Sequence, residues 1–85
     1  MSVISRFFGI AIAIYWKDHS PPHFHARYGD EEAVIEIKSG KTAGYISKRA
    51  LSLIQEWRKL HRQELLEDWE RDQEGKPLNK IKPLE

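Results

Sequence analysis

The segment Ile10-Ala11-Ile12-Ala13-Ile14-Tyr15-Trp16 sets the architecture that the rest of the chain must fit. Large apolar residues alternate in it with alanine and tyrosine, and this period of two with β-branched residues predicts a β-strand. The isoleucines and Trp16 share one face of that strand, and the small alanines on the other face leave room for close packing. Residues 17–22 end the strand, because their two prolines lack the N–H that a sheet ladder needs.

Two further strands are predicted on the carboxyl side. Residues 23–28 separate into two faces, one with Phe24, Ala26 and Tyr28, the other with His23, His25 and Arg27. Residues 32–37 alternate in the same way, and Tyr45-Ile46 is predicted as a short edge strand after a loop at residues 39–44. Short connections favour an antiparallel meander of three or four strands.

Helical structure is predicted from Ser47, a favourable N-cap residue. An apolar stripe at helical spacing follows, and it contains Ala50, Leu53, Ile54, Trp57, Leu60, His61, Leu65, Leu66 and Trp69. A single helix over residues 48–74 would be ~40 Å long, too long for such a small sheet to cover. We therefore expect two helices with a bend near His61 and Arg62, and both tryptophans in the core.

Length and composition predict one domain of the α+β class, with the antiparallel sheet packed by two C-terminal helices. The 85 residues divide into a strand-rich half (1–46), a helical half (47–75) and an extended tail (76–85). A chain this short buries only about 60–65% of the surface that its unfolded form exposes, so its core is thin. The absence of cysteine excludes thiol catalysis and cysteine-based zinc sites, and it is compatible with the cytoplasmic location that we expect.

An apolar run at residues 7–16 follows Arg6 and has the general form of a signal peptide. Its only Ala-x-Ala pattern, at residues 11–13, lies inside the run, so we expect neither a signal peptide nor a membrane span. The formal net charge of +1 favours no class of partner. We expect solvated surfaces to carry the basic residues Lys41, Lys48, Arg49, Arg58 and Lys59. A nucleic acid could also contact these residues through its phosphates.

Candidate chemistry is concentrated in Asp18-His19-Ser20-Pro21-Pro22-His23-Phe24-His25-Ala26-Arg27. His23 and His25 are two apart on a strand, so their imidazoles point the same way from Cα atoms ~6.6–6.8 Å apart. His19 lies across the proline turn and can fold back toward them. One interpretation is that His23 and His25, with His19 or Asp18, bind a divalent metal such as zinc, manganese or nickel.

A second interpretation of the same segment needs no metal. His23 and His25 would share general acid and base roles on a phosphodiester, and Arg27 or Arg6 would neutralise the phosphate. Such a site suits cleavage of RNA. A third interpretation is structural, in which the histidines hydrogen-bond the turn or form part of a partner interface.

Several motifs together resemble a known family. They are the run Ile4-Ser5-Arg6-Phe7-Phe8-Gly9-Ile10, the core Pro21-Pro22-His23-Phe24-His25-Ala26 and the late segment with Glu56-Trp57, Leu60-His61 and Trp69. In these motifs the chain is similar to a family of small bacterial domains of unknown function (family 4160). Within the motif, His23 and His25 are the first positions to test, followed by His19, Arg6 and Arg27.

The resemblance implies a function. Genes for such domains often lie beside a gene for another small domain, and the pair resembles a toxin–antitoxin module in which this chain is the toxin-like member. Its partner would be a small antitoxin-like protein. If the chain is an enzyme, we expect RNA or another phosphodiester to be its substrate. The alternative, from another class, is a non-catalytic module that binds and regulates its partner. A homodimer is compatible with both.

Overall fold

The computed structural model describes residues 1–85 and contains five strands followed by two helices. These are β1 (Ser2–Phe7), β2 (Ile10–Ile14), β3 (His23–Tyr28), β4 (Glu31–Glu36), β5 (Thr42–Tyr45), α1 (Lys48–Leu60) and α2 (Arg62–Gln73). The strands form one antiparallel sheet in the order β1-β2-β3-β4-β5. The predicted α+β class, antiparallel meander and two C-terminal helices are confirmed. The predicted number of strands, three or four, was wrong.

The additional strand is β1, which pairs with β2. A β-bulge lies between Val3 and Ser5, so that Ile4 and Ser5 are both buried. A bulge inserts one extra residue and breaks the period of two that marks a strand in sequence. This irregularity is why β1 escaped prediction.

The ends of two other strands also differ from prediction. β2 stops at Ile14, and Trp16 is largely exposed rather than on the buried face. The last strand covers Thr42–Tyr45 instead of Tyr45-Ile46, so it takes in half of the predicted loop. Ile46 lies just beyond the strand and is buried in the core.

The core lies between one face of the sheet and the two helices. Its largest fully buried side chains include Trp57 of α1, Leu65 of α2 and Phe24 of β3. Trp69 belongs to the same cluster, so the prediction of two core tryptophans is confirmed. Residues such as Arg6, Arg27 and Glu32 are exposed or half-buried on the opposite face of the sheet.

The two helices meet at His61, which lies outside both with φ −120° and ψ 24°. This position confirms the predicted bend. Ser47 is the N-cap of α1, and its hydroxyl accepts a hydrogen bond from the Ala50 N–H at 3.4 Å. Leu60 departs from the predicted stripe, because it is exposed at the last position of α1.

The tail at residues 76–85 has no helix or strand but packs on the domain. Ile81 is buried, and its N–H donates a hydrogen bond to the Ile4 carbonyl of β1 at 2.8 Å. The edge of β1 is thereby partly covered. Neither helix combines the length and the apolar character that crossing a membrane requires.

Candidate functional site

The site is built on β3 and on the loop that joins it to β2. Two hydrogen bonds attach this loop to the end of α2. The Lys17 N–H donates to Asp72 Oδ2 at 2.7 Å, and Gln73 Nε2 donates to the Asp18 carbonyl at 3.0 Å. They hold the Asp18 side chain beside the first residues of β3.

His23 opens β3 and is almost completely buried, with 7% of its side chain exposed. Its Nδ1 lies 2.8 Å from the carbonyl oxygen of Pro21, which follows a cis peptide bond from Ser20. Its Nε2 lies 2.9 Å from Asp18 Oδ2. The ring of Trp69 packs against the imidazole with centroids 5.1 Å apart. Both nitrogens of His23 therefore have partners.

His25 stands two residues further along β3 and is 15% exposed. Its ring stacks on Tyr15, with centroids 3.8 Å apart and planes 7° from parallel. Its Nδ1 is 3.2 Å from Glu32 Oε2, and its Nε2 is 3.3 Å from Asp18 Oδ2. The rings of His23 and His25 are 5.4 Å apart and converge on one carboxylate oxygen.

The two carboxylates of the site are held ionised. Partial burial raises the pKa of Asp18, but hydrogen bonds from His23, from the His19 N–H and from His25 outweigh it and bring the pKa to about 2. Hydrogen bonds from Arg27 and His25 lower the pKa of Glu32. Negative charge is thus present on both sides of the His25 ring.

A shallow depression lies on the uncovered face of the sheet beside His25. Its volume is about 120 Å³, and it is lined by Met1, Val3, Arg6, Ala11, Ala13, Tyr15, His25, Arg27 and Glu32. Arg27 forms an exposed ion pair with Glu32 at 3.1 Å, whereas Arg6 takes part in no ion pair. Three of the residues singled out in the sequence therefore line one surface.

His19 lies apart from the converging rings. Its side chain is 88% exposed, and its Nδ1 is 2.9 Å from the other oxygen of Asp18, Oδ1. The residues whose ligand atoms all lie within 4.8 Å of one another are Asp18, His23 and His25. The structure thus brings Asp18, rather than His19, together with the two strand histidines.

Tyr15 and Glu32 were not singled out as site residues in the sequence. Glu32 pairs in register with Arg27, and Tyr15 follows the last residue of β2 on the alanine face. Alternation predicts the face of each residue, but the register between strands decides which residues become neighbours. The only signal for Tyr15 was its place in the series with Ala11 and Ala13.

Comparison with known proteins gives one match. A family model described as a domain of unknown function, DUF4160, matches residues 9–70. This range includes the whole histidine segment and the depression-lining residues of β2, β3 and β4. No curated protein and no solved structure matches the chain.

Proposed function

The chain belongs to the DUF4160 family, and from that premise we propose that it is the toxin-like component of a two-gene toxin–antitoxin module. It binds RNA or another phosphodiester on the uncovered face of its sheet. The observation that carries this proposal is the shared depression, where Arg6, Arg27 and His25 line one surface.

The two arginines of the depression suit a phosphate. Arg6 has no carboxylate partner, and the ion pair of Arg27 with Glu32 is exposed, with 58% and 35% of the two side chains accessible. Exposed ion pairs contribute little to stability, so a phosphate can compete for Arg27 at small cost. The planar guanidinium group binds phosphate oxygens through paired hydrogen bonds.

The surface beside the depression favours a single-stranded nucleic acid over an isolated phosphate. Tyr45 pairs in register with Glu32, so both lie on the uncovered face of the sheet, and its side chain is 70% exposed. Exposed aromatic rings next to basic groups bind single strands by stacking on the bases, at about 1–3 kcal/mol per base. The proposed ligand is therefore a short single-stranded segment of RNA.

The two histidines have different roles in this proposal. His25 lines the depression and faces the bound phosphate. His23 does not line it, and both of its nitrogens are hydrogen-bonded, so it acts as a positioning residue that holds Asp18 against His25. Cleavage of the phosphodiester would require His25, whereas binding requires mainly the two arginines.

The test combines growth with binding. We expect expression of the chain alone to slow growth and co-expression of the neighbouring gene to restore it. Arg6→Ala is expected to remove the toxicity and to weaken binding of a labelled single-stranded RNA. In a plot of the logarithm of the RNA-binding constant against the logarithm of the salt concentration, it is expected to reduce the steepness of the slope by ~0.7. Arg62→Ala, an exposed arginine on α2, is the matched control and retains wild-type behaviour. Unimpaired growth at high expression of the wild-type chain would contradict the proposal.

A second candidate function, a non-catalytic module that binds a small partner protein, is favoured by a different surface. An apolar groove of about 490 Å³ is lined by Phe8, Ile10, Tyr28, Arg49, Ala50 and Leu53. Phe8 is 59% exposed there, and exposed aromatic groups often anchor protein interfaces. This candidate predicts a stable complex with the neighbouring gene product that Phe8→Ala disrupts, with no effect of the chain on growth.

A further inference from the structure

The hydrogen-bonding partners of His23 and His25 do not balance for neutral rings. The four ring nitrogens face four oxygen contacts: Pro21 O at 2.8 Å, Asp18 Oδ2 at 2.9 Å and again at 3.3 Å, and Glu32 Oε2 at 3.2 Å. A carbonyl and an ionised carboxylate only accept hydrogen bonds, and a neutral imidazole donates only one. Two neutral rings therefore supply two of the four donors that this arrangement needs.

The shortfall of two donors can be placed at Asp18. In the tautomers whose Nδ1–H groups donate to the Pro21 carbonyl and to Glu32, the Nε2 lone pairs of both rings are directed at Asp18 Oδ2. One cation between the two Nε2 atoms and the carboxylate replaces both protons at once.

We propose that Asp18 Oδ2, His23 Nε2 and His25 Nε2 bind one divalent transition-metal ion, zinc in the first instance. The separations of Oδ2 from the two nitrogens, 2.9 and 3.3 Å, resemble the ~3.3 Å between neighbouring ligands of a tetrahedral zinc ion with bonds of ~2.0–2.1 Å. All three ligand atoms lie within 4.8 Å of one another. Binding needs only a small outward movement of the three groups.

The surroundings of these three ligands are those of a metal centre. Histidine ligands of metals almost always donate their second N–H to a carboxylate or a main-chain carbonyl, which fixes the tautomer and the ring orientation. Glu32 and Pro21 occupy these two positions. The second oxygen of Asp18 accepts a hydrogen bond from the His19 N–H at 2.9 Å. Each ligand is thus oriented before any ion arrives.

The ligand types indicate which ions fit. Two imidazoles and one carboxylate suit zinc and its transition-metal neighbours, whereas magnesium and calcium prefer oxygen ligands and seldom bind imidazole. Three protein ligands leave a coordination position open, as in catalytic zinc sites. Because His25 also lines the depression, the ion would lie next to the surface that carries Arg6 and Arg27.

Metal binding is measured directly on the full chain. After removal of metal with a chelator, titration with zinc chloride by isothermal calorimetry is expected to show one ion per chain. At a free zinc concentration of about one hundred times Kd, the melting temperature of the chain is expected to rise by roughly 10–20 °C. Magnesium chloride serves as the comparison and is expected to produce neither effect. Absence of both the heat and the thermal shift with zinc would overturn the proposal.

Variants test the ligand set. Asp18→Asn and His25→Gln each alter one ligand and sit at half-buried positions, and each is expected to weaken zinc binding by more than ~100-fold while circular dichroism stays native. His61→Gln is the matched control, since it removes a histidine that contacts Glu64 between the two helices and is expected to leave the affinity unchanged. Wild-type affinity in either ligand variant, or its loss in His61→Gln, would show that the assignment is wrong.

This inference goes beyond the proposed function, and the two fail separately. The growth and RNA tests turn on Arg6, which is not a ligand of the ion. A chain that binds zinc but does not affect growth would leave the metal site standing and contradict the toxin-like role. A toxic chain that binds no zinc would support the toxin-like role and contradict the metal site.

Discussion

Asp68 shows how a single buried carboxyl can tune the stability of this small domain. It lies in α2 with 1% of its surface exposed, where Oδ1 accepts a hydrogen bond from the Asn79 N–H at 2.8 Å and Oδ2 has no partner. Burial raises the pKa of this carboxyl, and the Asn79 N–H and the charge of Arg71 only partly oppose it. Its ionised form is therefore more costly in the folded chain than in the unfolded chain.

We expect Asp68→Asn to change the pH dependence of stability. Because the pKa of Asp68 is higher in the folded state, its contribution is most favourable below the unfolded pKa of about 3.9 and declines as pH rises through the folded pKa. The wild-type chain should thus lose free energy of unfolding, relative to Asp68→Asn, as the pH rises from about 4 to neutrality. Urea unfolding at a series of pH values measures this difference. Glu70→Gln, an exposed neighbour on α2, is the control, and wild-type and Asp68→Asn curves that stay parallel would contradict the account.

At the residue scale, strand alternation predicts the buried isoleucines of β2 but not the exposure of Trp16 beyond the end of the strand, and it predicts contacts incompletely. Strand alternation placed His23 and His25 side by side, because neighbours on one face follow from the period of two. Arg58 was assigned to a solvated surface, yet it is buried, and its Nη1 donates to the carbonyls of Ile37 and Lys38 at 2.9 and 3.3 Å. That contact depends on where α1 crosses the end of β4, which no local pattern encodes.

At the scale of elements, two glycines with positive φ can be compared. At one of them a side chain would suffer only from the backbone conformation, and at the other it would also collide with a neighbouring strand. Gly44 in β5 has φ +89°, and a Cβ there would lie 2.8 Å from the Glu32 carbonyl oxygen of the neighbouring strand. Gly29, in the turn between β3 and β4, has φ +62° with nothing near an added Cβ. Both positions suit glycine, but only Gly44 also lies against another main chain.

We expect Gly44→Ala to destabilise the fold more than Gly29→Ala does. The turn substitution should cost about 1–2 kcal/mol, the usual cost of a left-handed conformation for a residue with a side chain. The strand substitution adds the displacement of β5 from β4, for a total of roughly 3 kcal/mol or more. Chemical denaturation of the two variants provides the measurement. Equal losses of unfolding free energy in the two variants would mean that β5 can shift freely and that its pairing with β4 adds little to stability.

The elements themselves were predictable where their patterns are regular. The two-helix arrangement followed from comparing the length of one long helix with the size of the sheet, and α1 and α2 do separate at His61. β1 was missed because its bulge places Ile4 and Ser5 on the buried side together. β5 is hard to recognise because Gly44 and exposed side chains dominate its four residues.

At the scale of the whole molecule, the tail connects parts of the fold that are distant in sequence. Besides the main-chain bond from Ile81 to Ile4, the Lys82 carbonyl accepts a hydrogen bond from Trp57 Nε1 at 2.9 Å, and the Asn79 N–H reaches Asp68. The last residues thus contact β1, α1 and α2 together. Sequence alone left open whether this tail packs on the domain, because scattered apolar residues between prolines have no periodicity to interpret.

We expect Ile81→Ala to remove a large part of the stability of the domain. Ile81 is 3% exposed within the core cluster, and truncating a buried isoleucine to alanine costs about 2–5 kcal/mol from the lost burial and the cavity left behind. Small domains have only about 5–15 kcal/mol in total, so the variant should unfold at a much lower urea concentration. Lys82→Ala is the matched control, because its side chain is exposed and its carbonyl can still accept the Trp57 hydrogen bond. If both variants unfold with the wild-type midpoint, the tail is only loosely attached, and the core between the sheet and the two helices is sufficient without it.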